Sequence, residues 1–425
     1  MTVVRAVVGI ILLLFTSVPL AAQEELMSEV ISPANVTNLS LLGAFVSLEP
    51  NSIRGVEWLS DAGGSFVVYS TSNDEGIWIY DINNLDLTPR HFAGRGTLSS
   101  DGRYWAVRDA NQSNPLTRLF DTGDGTLLQT FQHGSVNLAD DFNALAFNSD
   151  STRIASAWHD TITIWDISTG SIVSTISADS IVTSLSFNLD GSLIAAGLYD
   201  ASVGVWDSNS GEMRMEIRDH INVVYPRFVS MENWLLITSI DRTVTLWDVN
   251  AEERLLYVPA HTDLVYALLA GSRESVIVAD ATVQQGINYS VMEIWDITQG
   301  EQTASFELVY NDIGFLIPGN IAFDSAAQLA FFWTTNNEAL LIDIETGQHL
   351  QSLAHSGGVQ GAVFSPDSRL IASWDDELYL WDARTGEMLT KIDGDPIQDI
   401  IFSPDGSRLI LAYADGSIQI WGVVE

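Results

Sequence analysis

The sequence predicts an all-β fold, a single closed ring of four-stranded units, nine of them in 425 residues. Two observations predict it. The first is a period. Apolar strands end on an aromatic or aliphatic anchor at Tyr80, Phe120, Trp165, Trp206, Trp247, Trp295, Ile342, Trp381 and Trp421, separated by 40, 45, 41, 41, 48, 47, 39 and 40 residues. Asp follows Trp165, Trp206, Trp247, Trp295 and Trp381 at once, with a Gly a few residues on in most of these turns. A period near 40 with such a stop marks a unit of four short strands. One unit cannot bury its own faces, so units stack, and a ring removes the exposed ends. The second observation is a mismatch between the chain ends. The last unit stops four residues after Trp421 and so lacks an outer strand, while a spare strand, LLGAFVSL (41–48), precedes the first unit. Pairing the spare strand with Ser417 to Trp421 would close the ring. Nine units then imply nine blades; seven or eight would follow if a degenerate unit lay outside.

The elements fall in order. Residues 1–22 carry Arg5, an apolar stretch from Ala6 to Phe15, Pro19 and the small pair Ala21-Ala22 before Gln23. That is the pattern of a cleaved secretory signal peptide, too short for a bilayer span. Residues 23–40 show no clear period and read as an N-terminal tether, and 41–425 form the ring. Unit three shows the grammar. Asn143 to Phe147 is an inner strand, Ile154 to Ala157 a second, Thr161 to Trp165 a third, and Ser171 to Ile176 an outer one. Short β-rich runs parted by Asp, Asn, Gly and Ser are what hairpins need. The first turn recurs as FNLDG (187–191), FSPDS (364–368) and FSPDG (402–406), and the turn after the anchor as DITQG (296–300), DIETG (343–347) and DARTG (382–386).

These motifs resemble the WD-repeat family of β-propellers over about residues 41–425. The resemblance implies blades braced by an Asp before the third strand, a His and a Ser or Thr, all supporting the Trp. Asp falls six residues before the anchor at Asp74, Asp200, Asp241, Asp375 and Asp415. Unit eight carries the whole set, His355, Ser373, Asp375 and Trp381. Unit five offers His220, Thr238, Asp241 and Trp247. Tyr80, Phe120 and Ile342 depart from the pattern, and unit nine has Trp421-Gly422, so units one, two, seven and nine are the weaker blades. His133, His220, His261 and His355 all precede inner strands, where bracing is expected rather than chemistry.

Composition narrows the function. Asp and Glu number 55 against 18 Lys and Arg, a net charge of −37, and loss of Arg5 with the leader adds one more negative charge. Such a surface repels phosphate backbones and anionic lipid, which argues against nucleic acid. Without cysteine the fold has no disulfide, and burial alone must hold it. No nucleophile elbow, phosphate loop, dinucleotide fingerprint or metal-ligand spacing is present, so no cofactor and no metal are expected. The turn Asp121-Thr122-Gly123-Asp124-Gly125 lacks the spacing of a calcium loop.

The period lengthens at 133–143, 281–290 and 309–320, and all three connections should open on one face. Loops carry function while a scaffold stays regular. A partner site is therefore expected around Tyr289, Tyr310, Phe315 and Leu316, with Asp140, Asp141 and Asp312 steering a basic protein. The expectation is an exported, monomeric, non-enzymatic scaffold, extracellular or periplasmic, with no membrane insertion after leader cleavage. The alternative is a propeller enzyme or small-ligand receptor with its site at the central channel mouth.

Overall fold

A computed structural model describes residues 29–46, 48, 52–59, 64–70, 76–82, 88–109, 116–133, 144–230, 232–259, 266–269, 275–284, 287–310, 320–324, 326, 328–333 and 338–423. The strands form nine four-stranded antiparallel sheets, the blades. Eight blades are built from consecutive strands. The ninth joins 397–402, 408–413 and 417–423 to a strand from the opposite end of the chain, Leu39–Val46. Leu41 faces Trp421 and Val46 faces Ser417, the closure expected from the unmatched ends, though the strand opens two residues early at Leu39. The three units with departed anchors are full blades. Tyr80 and Ile342 are buried, and Tyr80 stacks on Phe66 at 5.1 Å.

Nine apolar clusters hold the ring, one between each pair of neighbouring blades. The seam between blades nine and one has its own cluster, in which Phe45, Ile410 and Ile418 meet Val56, Phe66 and Tyr80. Burial between blades, rather than within one, is why a single unit has no independent core.

The anchor has a backbone reason as well as an apolar one. In seven blades the pairing of third and outer strands slips at the anchor: at Phe120, Trp165, Trp206, Trp247, Trp295, Ile342 and Trp381. A bulge twists the strand and re-aims its side chain, here at the point where the turn begins. The following Asp closes that turn. Asp166 accepts the amide of Thr169 at 2.8 Å, Asp248 those of Asn250 and Ala251, and Asp382 those of Arg384 and Thr385. In blade four the Trp206 ring fills the space beside Gly204, where a Cβ would come within 2.0 Å of it.

Beside the seam, Asp399 of the ninth inner strand accepts the Val56 amide of the first blade at 2.7 Å. Burial pushes its carboxyl up to about 6, against the pull of the Val56 and Ile400 amides. An acid whose folded pKa lies above its unfolded value of about 3.9 binds more protons folded, so its ionisation costs stability above that window. Asp399→Asn should therefore change the pH dependence of melting between about pH 4 and 6. Relative to the variant, the wild type gains stability as pH falls through this range. Parallel melting curves for the two proteins would show the carboxylate to be silent.

Candidate functional site

Each inner strand crosses the ring from one face to the other, and the antiparallel order fixes where the connections emerge. Turns between second and third strands share one face with the connections that lead into the next inner strand. This is the long-loop face. Turns after the inner strand and after the anchor lie on the short-turn face.

On the long-loop face, blade six differs from its neighbours. Its second and third strands run Ser275–Gln284 and Ile287–Asp296, and its outer strand runs Glu301–Tyr310. The third strand begins eight residues before Trp295, whereas in blade three it begins four before Trp165. Four more residues per strand carry the sheet about 13 Å farther. Most of the segment expected to be an inserted loop, 281–290, is thus a continuation of the hairpin, with Ala281 paired to Ser290 and Gln284 to Ile287. Its β-branched and aromatic residues favour that outcome. Tyr289 sits half-buried opposite Val309, and the backbone of Tyr310 pairs with Asn288. Among the described residues, no strand pairs with the free side of 280–284, since the inner strand covers only 276–279. Phe315, Leu316, Asp312, Asp140 and Asp141 lie outside the described residues.

A second feature of this face was not legible in the sequence. Tyr199, Ile221 and Tyr225 are 56%, 90% and 48% exposed. Tyr199 follows the second strand of blade four; Ile221 and Tyr225 lead into and begin the inner strand of blade five. Their backbones are pinned: the Tyr199 amide donates to Ile181 O and the Ile221 amide to Asp241 Oδ2, both at 2.8 Å. Asp179, Asp200 and Asp219 are exposed near them, Asp200 paired with Arg218 at 3.3 Å and Asp219 with Arg254 at 2.7 Å. Apolar tips on a fixed frame with a charged rim suit a partner with an apolar centre and a polar edge.

The bracing residues lie behind this face. In blade eight, Ser373 Oγ is 2.7 Å from His355 Nε2 and accepts the Trp381 Nε1–H at 2.8 Å. Asp375 does not reach the imidazole. Its carboxylate accepts from the Gly357 amide at 2.7 Å and the Tyr379 hydroxyl at 3.1 Å, so it holds the segment that follows His355. In blade five His220 Nδ1 lies 3.4 Å from Asp241 Oδ2, and its Nε2 3.0 Å from Thr245 Oγ1, which also accepts from Trp247 at 3.2 Å. The bridging hydroxyl is thus Thr245, not Thr238. It comes from the third strand, two residues before the anchor, a site where the spacing rule did not look. His133 reaches Thr117 at 3.1 Å, and His261 is outside the described residues.

Burial lowers the pKa of all three of these histidines, His133 to about 4, and the nearby Asp241 offsets only part of the effect at His220. Burial alone would raise Asp241, but the Thr243 hydroxyl and Ile221 amide outweigh it and keep the acid ionised. Each buried imidazole is held by a hydroxyl within its blade, as a brace requires.

No group of three or more His, Asp or Glu is placed to hold a metal among the described residues. Asp121 and Asp124 bond their own turn amides, of Gly123 and Thr126. No helix among the described residues is long and apolar enough to cross a membrane.

The repeat family described as "WD domain, G-beta repeat" (WD40) matches residues 125–166, 170–207, 347–382 and 386–422. Each match runs from one outer strand through the next anchor, so the sequence repeat straddles two blades. The chain is 24% identical to the human serine-threonine kinase receptor-associated protein over 332 residues, 76% of each chain. The chicken protein of that name is 26% identical over 75% of each chain. Periodic tryptophan protein 2 of Arabidopsis thaliana is 36% identical over 86 residues, 19% of this chain and 10% of that one.

Proposed function

We propose that this chain, a β-propeller carrying WD40 repeats, is an exported, non-enzymatic scaffold that binds a basic protein through its long-loop face. The observation that carries the reading is the pinned, exposed trio Tyr199, Ile221 and Tyr225 within a charged rim; the preference for a basic partner comes from the net charge of −37. A chain of net charge −37 has little reason to display large apolar tips unless they are covered in use. The blade-six extension adds a sheet edge that no described strand covers, and adding a strand to an edge is a known route of peptide recognition. Tyr289, Tyr310, Phe315 and Leu316 belong to the same proposed surface, and Asp140, Asp141 and Asp312 to its rim. Export rests on the leader pattern of residues 1–22.

The test compares variants. Wild type, a Tyr199→Ala/Ile221→Ala pair and Thr385→Ala on the short-turn face are immobilised and challenged with proteins from the native extracellular fraction. A partner retained by wild type and Thr385→Ala, but lost more than about tenfold by the pair, is expected, about 1.4 kcal/mol or more. Retention by the pair with loss in Thr385→Ala would reverse the assignment of faces.

A further inference from the structure

The short-turn face has a site of its own. The inner strands of blades three to six end there around a cavity of about 430 Å³ at the channel mouth. That is within the usual size of small-molecule sites. Phe147, Phe187 and Phe228, each the last residue of its inner strand, give it three aromatic walls, and Leu189 and Leu269 add aliphatic ones. Among the described residues, Arg227 is the only charged one lining it.

Arg227 differs from the arginines at the outer strands of blades four and five. Arg214, Arg218 and Arg254 sit in acid-rich surface and pair with Asp207, Asp200 and Asp219 at 3.5, 3.3 and 2.7 Å. Arg227 is exposed, and no described residue ion-pairs or hydrogen-bonds its guanidinium. The other polar side chains of the cavity are engaged. Asn188 binds Ser192, Asn233 and the Leu193 amide, Ser230 accepts from Trp234, and Ser149 donates to Leu189 O. The guanidinium is the only charged donor the described lining leaves free, with the Ser230 hydroxyl hydrogen as a neutral one beside it.

We propose that this mouth binds a small organic monoanion, a carboxylate on an aromatic or branched apolar body. The guanidinium fork matches a carboxylate with two parallel hydrogen bonds, and the phenyl walls take the apolar body. A dianion such as a phosphate monoester is disfavoured, because one cation must offset the field of a protein of net charge −37. An amine is disfavoured by Arg227 itself. The site lies on the opposite face from the partner surface and stands without it.

Calorimetric titration with 3-phenylpropionate, its amide and 2-phenylethylamine tests the proposal. Wild type should bind the acid and bind the amide at least about tenfold more weakly. Arg227→Gln, at an exposed position, should lose the acid by a similar factor at unchanged melting temperature. Leu189→Glu should lose it too, by placing a carboxylate at the rim. No binding of the acid, equal binding of amide and acid, or unchanged affinity in Arg227→Gln would overturn the proposal.

Discussion

Deleting residues 29–46 should open the ring and drive aggregation. The segment supplies the fourth strand of blade nine, with seven paired positions against 417–423. It buries Ile31, Val36 and Phe45, and Phe45 reaches across the seam to Tyr80 at 4.9 Å. Burying a handful of such side chains contributes on the order of 5–10 kcal/mol, an upper estimate from transferred area. That is comparable to the whole stability of a typical domain. Its loss also bares the edge of 417–423, a template for pairing with other chains. Phe45→Ala is the milder form and should cost about 3–5 kcal/mol. Light scattering and thermal melting check both. A truncated chain that stays monodisperse with the wild-type melting temperature would show that the ring does not depend on this strand.

Ser373→Ala should be the most damaging single-atom change in the blade-eight brace. Ser373 is fully buried and joins His355 to Trp381. Removing its hydroxyl leaves an indole N–H and an imidazole nitrogen without partners, while the volume of the core hardly changes. Two unsatisfied buried groups cost about 2–4 kcal/mol. Asp375→Ala should cost about 1–3 kcal/mol through the freed Gly357 amide, while the Tyr379 hydroxyl keeps Glu377 and Ser356. By contrast Asp296→Ala, which loosens one exposed turn, should change stability by under about 1 kcal/mol. Chemical denaturation midpoints rank the three. Equal effects of Ser373→Ala and Asp296→Ala would mean that the brace does not hold the blade.

What the sequence revealed, and what it did not, divides along physical lines. The anchors at Trp165, Trp206, Trp247, Trp295 and Trp381 were legible because a bulge and an Asp-capped turn recur at fixed spacing. The closing strand was legible because a hydrogen-bonded edge must find a partner. The Thr245 bridge was not, because a third-strand hydroxyl two residues before the anchor reaches the same indole as a second-strand one. Asp375 and His355 were expected to touch, and Tyr379 and the Gly357 amide take the carboxylate instead. The exposure of Tyr199, Ile221 and Tyr225 had no sequence signal, since an aromatic at a strand end reads as core until the ring sets its direction. Arg227 was equally silent: only the convergence of four inner strands puts it at a cavity.

The measurement that bears most directly on the scaffold reading is a hydrogen-exchange footprint of the protein with its captured partner. New protection is expected at 199–200, 220–225 and 280–290 on the long-loop face, with the turns at 296–300, 343–347 and 382–386 unchanged. Protection confined to those short turns would contradict it.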